Sequence, residues 1–141
     1  MISVYVDASF RSNRRDASGL AVIIVNAGKV TGRAATSATA TSSHHAECLA
    51  ALLGLRMALV VLTAPTTVAL HTDDKEIVNK LKSDRRPRNH TLVDVFSELR
   101  ASVRSITDQG SRVDVRHSSR SSDHFMSHVD WMSKSIVAPE E

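Results

Sequence analysis

An aspartate interrupts the first apolar run of this chain, and few folds tolerate one there. Val4-Tyr5-Val6-Asp7-Ala8-Ser9-Phe10 has the β-branched and aromatic composition of a strand, yet Asp7 stands in its middle. An ionised carboxylate in an apolar layer is costly unless a partner compensates it. Asp7 therefore calls for an arginine, backbone donors or a metal ion.

The surrounding pattern says what kind of layer this is. Residues 2–10 read as one strand, and 20–25 as a continuous apolar run of the kind buried on both faces. Asn26-Ala27-Gly28-Lys29 is hairpin chemistry, so the small residues and threonines of 30–40 read as a third, antiparallel strand. An Ala- and Leu-rich helix follows over 44–62, with Ser42 or Ser43 as its N-cap. Glu47 and Arg56 are nine residues apart, which at about 100° per residue puts them on opposite sides. Glu47 shares its side with Ala50, Ala51, Gly54 and Ala58, small residues suited to close packing, so this glutamate points inward. A short strand over 67–71 leads into a helix beginning at Thr72-Asp73-Asp74 and running to about residue 82. The linker 85–89, with Pro87, precedes a helix carrying Leu92, Val95, Phe96, Leu99, Val103 and Ile106 at helical spacing. Residues 112–116 alternate strictly, a serine-rich loop covers 117–122, and a last helix aligns Phe125, Val129, Met132 and Ile136. The order βββ-α-β-α-α-β-α predicts an α/β fold, a mixed five-stranded sheet with helices on both faces, in one domain over 1–141.

Four acidic residues stand at special places in that order: Asp7 in strand one, Glu47 inside the first helix, Asp73 after strand four, Asp130 on the last helix. Taken singly, Asp73 reads first as a helix cap, Asp130 equally as a polar-border residue, and Glu47 as half of a buried ion pair with no arginine placed for it. Taken together, they belong at the carboxyl ends of neighbouring strands, where α/β folds open a crevice. Carboxylates gathered there do not all stay ionised without cations, and oxygen-only ligands suit Mg²⁺ or Mn²⁺.

Val4-Tyr5-Val6-Asp7-Ala8-Ser9, His45-Ala46-Glu47-Cys48-Leu49-Ala50-Ala51-Leu52, Leu70-His71-Thr72-Asp73 and His128-Val129-Asp130-Trp131-Met132-Ser133 resemble, in order and spacing, the four motifs of type 1 ribonucleases H. The resemblance spans nearly the whole chain. It implies an endonuclease cutting the RNA strand of RNA/DNA hybrids, with Asp7, Glu47, Asp73 and Asp130 holding two Mg²⁺ or Mn²⁺ ions about 3.5–4 Å apart. Products would be 5′-phosphate and 3′-hydroxyl ends, and RNA would be chosen through 2′-hydroxyl contacts across a wide minor groove. The family's assisting histidine matches His117, which lies 13 residues before Asp130, a longer interval than the family's, with His124 as competitor. His124 and His128 are also four apart on one face, but a zinc site lacks a third ligand.

The chain departs from the family in three places. Ala8 replaces the usual glycine and is followed by Arg11-Ser12-Asn13-Arg14-Arg15; His44 stands where an asparagine often touches the hybrid; Asp74 replaces the usual serine. By the resemblance, nucleic acid would meet Ser9, Arg11, Asn13, Arg14, Ser43, His44 and Asp74. Arg85, Arg86 and Arg88 would stand in for the basic protrusion of some bacterial members. The departures keep two alternatives open: a nuclease of the same fold acting on DNA, resolvase- or exonuclease-like, and a non-catalytic nucleic-acid-binding module.

Charge alone does not choose among them. The net charge is only +3, although arginines outnumber lysines 13 to 5 and cluster in the two segments just named. The single cysteine, Cys48, excludes an internal disulfide and a Cys-rich zinc site. No apolar run is expected to reach the roughly 18 residues of a membrane span, and no basic-then-apolar leader opens the chain. A cytoplasmic monomer is the expectation.

Overall fold

The expected meander forms, and the hairpin that closes it shows why. In the computed structural model, which describes residues 1–11, 17–83 and 86–136, β1 (Ile2–Ser9) pairs antiparallel with β2 (Ser18–Asn26), and β2 with β3 (Lys29–Ala38). Ala27 and Gly28 turn between β2 and β3 with φ of 51° and 78°, the left-handed pair that matches strand twist in a two-residue loop. β4 (Thr67–Thr72) lies parallel to β1 on its other side, and β5 (Arg112–His117) parallel to β4, giving the order β3-β2-β1-β4-β5. His117, read from sequence as the start of a loop, is the last residue of β5 and pairs with Thr72. β3 is the exposed edge, which explains its small and threonine-rich sequence.

Strand alternation splits the core in two. Ile2, Val4, Val6, Leu20, Val22 and Ile24 face α1 (Ser43–Val61), α2 (Lys75–Lys82) and α3 (His90–Asp108). Tyr5, Ala21, Ile23 and Val25 face α4 (His124–Ile136), through Met126 and Val129. Two glycines set how closely the helices on opposite faces approach. A Cβ on Gly54 of α1 would lie 2.7 Å from Val6 Cγ1 and 2.8 Å from Val4 Cγ1. One on Gly19 of β2 would lie 2.1 Å from the Ser133 carbonyl oxygen of α4. Both helices that carry site carboxylates are thus seated directly on the β1–β2 pair.

Ser42, of the two candidate serines, caps α1: its hydroxyl accepts from the His45 N–H at 3.0 Å. One expectation is corrected. By length and composition α1 is long and apolar enough to cross a membrane. A buried core helix of Ala and Leu reaches the same average apolarity, and Ala46, Cys48, Ala50, Ala51, Leu52, Leu55 and Ala58 of α1 are buried inside the fold.

Candidate active site

Strand pairing brings two carboxylates to one end of the sheet. Tyr5 of β1 pairs with His71 of β4, the last pair of that ladder; Asp7 lies two residues further along β1, and Asp73 lies just past the end of β4. Asp7 is buried at the end of β1. α1 adds Glu47, whose Oε1 accepts a hydrogen bond from the Ala8 N–H at 3.2 Å. α4 adds Asp130 from the opposite face. Asp7, Glu47, Asp73 and Asp130 line one cavity of about 700 Å³, together with Ala8, Ser9, Phe10, Arg11, Arg120, Trp131, Lys134 and Ser135.

The helix-cap alternative for Asp73 falls. Asp74 is the N-cap of α2, accepting from the Glu76 and Ile77 N–H groups at 2.9 and 3.2 Å. A cap must sit immediately before the first helical residue, Lys75, which leaves Asp73 outside that role. Its Oδ1 lies 3.6 Å from His117 Nε2. His124, by contrast, opens α4 against Phe125, away from the carboxylates and beside His128 in a small separate cavity.

Electrostatics divide the four acids. Burial pushes Asp7 up to about 6, with the nearby Asp130 carboxylate adding to the rise and Glu47 and the Ala8 N–H opposing it. Burial, then the charge of Asp7, raises Glu47 well above the usual carboxylate range. Asp130 goes the other way: burial pushes it up, but Lys134, Asp7 and Arg120 hydrogen-bonding to it leave it below its ordinary value. Lys134 Nζ lies 3.0 Å from its Oδ2, and Arg120 Nη1 3.2 Å from its Oδ1.

The donor set fits a hard divalent cation. Glu47 Oε2 is buried with no hydrogen-bond partner, beside an Asp7 raised by burial, and a buried carboxylate oxygen of this kind is suited to ligating a cation. As the side chains lie, no three His, Cys, Asp or Glu among the described residues close into a ligating group. The reason is visible: Asp130 is held by Arg120 and Lys134, and Asp73 faces His117.

The residues expected to meet nucleic acid divide. Ser9 and Arg11 line the carboxylate cavity, and the Ser9 hydroxyl is 3.0 Å from that of Ser133. Ser43, His44, Asp74 and His117 line an adjoining cavity of about 600 Å³ that shares Glu47 and Asp73 with the first. His44 Nδ1 and Asp74 Oδ2 are 2.5 Å apart, so these two departures from the family occur as a pair. Arg86 lines a separate cavity with Pro87, Val93, Ser97, Arg100 and Arg104, apart from the carboxylates. Asn13, Arg14 and Arg85 lie outside the described residues. Sequence reasoning missed Arg120, Trp131 and Lys134. The four-residue step from Asp130 to Lys134 was a usable signal, since such pairs are neighbours on a helix. Arg120, alone in a serine-rich loop, offered none.

Comparison with known proteins agrees with this fold. A search of curated proteins gives no significant match. Among solved structures, RNase H1 of the halophilic archaeon Halobacterium salinarum NRC-1 superposes with a TM-score of 0.78 at 14% identity, covering 96% of each chain. LC11-RNase H1, isolated from compost and solved in complex with RNA/DNA hybrid, gives 0.77 at 15% identity over 96% of this chain and 95% of its own. The N-terminal RNase H domain of rv2228c from Mycobacterium tuberculosis gives 0.77 at 16%, over 96% and 92%. Residues 5–129, from β1 to the second turn of the last helix, match the reverse transcriptase-like family. With its sheet order, its four helices and this match over most of its length, the chain belongs to the reverse transcriptase-like family and is a type 1 ribonuclease H-like domain.

Proposed function

We propose that this domain is a divalent-metal-dependent endonuclease that hydrolyses the RNA strand of RNA/DNA hybrids, leaving 5′-phosphate and 3′-hydroxyl ends. The observation that carries the reading is the partnerless, buried Glu47 Oε2 beside a raised Asp7, in a cavity that also holds Asp73 and Asp130. Asp7, Glu47, Asp73 and Asp130 would hold two Mg²⁺ or Mn²⁺ ions, which would supply charge neutralisation at the phosphate and a lowered water pKa. The chain's own residues supply position. The Ala8 N–H fixes one Glu47 oxygen and leaves the other buried without a hydrogen-bond partner. β1 carries Asp7, and the end of the neighbouring β4 brings Asp73 to the same cavity. His117, beside Asp73 in the adjoining cavity, would pass a proton to or from the reacting phosphate. Arg11, Arg120 and Lys134 bring positive charge to a cavity that must accept an anion.

The test is cleavage of a labelled hybrid in Mg²⁺ or Mn²⁺, run beside dsRNA, dsDNA and single strands. RNA-strand cutting that Asp7→Asn abolishes is expected; an Asp7→Asn protein that cuts like the parent overturns the mechanism. The His44–Asp74 pair favours one second reading, a nuclease of this fold acting on DNA, because it engages the side chain at the position that resembles the family's hybrid-contacting asparagine. Equal cutting of an all-DNA junction and of hybrid would select it.

A further inference from the structure

The carboxylate cavity is lined by one residue that the reading above does not use, Trp131, and by two that it uses only as charge, Arg120 and Lys134. Trp131 is 64% exposed, although a tryptophan left in water forgoes the burial of a large apolar ring. Its one ring neighbour among the described residues is His128, tilted at a centroid distance of 5.8 Å. Arg120 and Lys134, side chains 60% and 58% exposed, hold the two oxygens of the preceding residue, Asp130. Each spends one donor there, and a guanidinium has five and an ammonium three, so both keep donors free for a phosphate. All three line the same cavity as Asp7, Glu47 and Asp73.

We propose that Trp131, Arg120 and Lys134 form a nucleotide subsite that takes an unpaired or terminal nucleotide of the strand to be cut, its base stacked on Trp131 and its phosphate held by the two cations. The proposal rests on the reading that this cavity receives nucleic acid. It goes further because a base inside a duplex already has both faces stacked. An exposed indole can accept only a base with a free face: one at an overhang, a frayed end or a nick. The domain should therefore prefer hybrids with an unpaired nucleotide beside the cut over continuous blunt ones.

The chain's single tryptophan makes the test direct. In EDTA, so that nothing is cut, a 5′-phosphorylated dinucleotide is titrated against the full chain while tryptophan emission is followed. Blunt and overhanging labelled hybrids are compared by anisotropy in the same buffer. Saturable quenching is expected, with the overhanging hybrid bound about 5- to 150-fold more tightly, the range of one base stacked on an aromatic. Trp131→Ala should erase that preference and Trp131→Phe should keep most of it. An Arg120→Gln/Lys134→Gln double variant should weaken the phosphorylated dinucleotide and leave its unphosphorylated form unchanged. Hybrid binding with unchanged emission, no quenching by the dinucleotide, or equal affinities in parent and Trp131→Ala overturns the subsite. Dinucleotide quenching by a protein that cuts no hybrid upholds the subsite and removes the hydrolase reading instead.

Discussion

The Asp7 carboxyl takes up a proton more readily in the folded chain than in the unfolded one, because burial lifts it from 3.8 to about 6. Between those values the native state binds more protons than the unfolded state, so stability falls as pH rises from about 4 to about 6 and stays low above. A rise of that size corresponds to about 3 kcal/mol as an upper bound. Metal-free protein should therefore melt at a higher temperature at pH 4.5 than at pH 7, if acid does not unfold it elsewhere. Asp7→Asn, which removes the charge and keeps the shape, should raise the metal-free melting temperature at pH 7 while abolishing cleavage. A variant less stable than the parent in EDTA at pH 7 would show that Asp7 is compensated within the chain. Asp7 and Glu47 were legible as site residues because each is a carboxylate where apolar residues belong. Asp73 was not separable from a cap in sequence, since Asp73 and Asp74 are adjacent and only the start of α2 at Lys75 assigns the cap to Asp74.

Among the elements, α1 decides the most, since its seating on the sheet sets where Glu47 lies. Gly54 permits that seating: an added Cβ would fall 2.7–2.8 Å from the valines of β1, both fully buried and unable to withdraw. Gly54→Ala should cost about 1–3 kcal/mol, as overpacked cores do, read as a lower urea midpoint at unchanged slope. It should also lower cleavage in folded protein, because pushing α1 outward draws Glu47 from the Ala8 N–H. A variant as stable and active as the parent would show that the helix shifts without cost. The small-residue side of α1 was legible from helical spacing. The matching constraint at Gly19 was not, since nothing near it in sequence announces that Ser133, more than a hundred residues on, packs against it.

At the scale of the whole molecule, the charge that matters is local. Three cations, Arg11, Arg120 and Lys134, border the carboxylate cavity in a chain with net charge of only +3. Hybrid affinity should fall with salt at a log–log slope of about −3, one counterion per cation. A slope near zero would remove these residues from the interface, and one beyond about −7 would require a much larger basic surface. What the sequence determined by itself was periodic or anomalous: strand and helix order, the inward face of α1, and two carboxylates out of place among apolar neighbours. These are local properties, written within a few residues of where they act. Tertiary structure decided what depends on distant segments meeting. The parallel pairing of β1 with β4 brings Asp7 and Asp73 to one cavity, α4 crosses the far face to deliver Asp130, and Arg120 and Lys134 bond that acid, which precedes the exposed Trp131. Asp7, the anomaly in the first strand, acquires its neighbours only once the chain has closed around it.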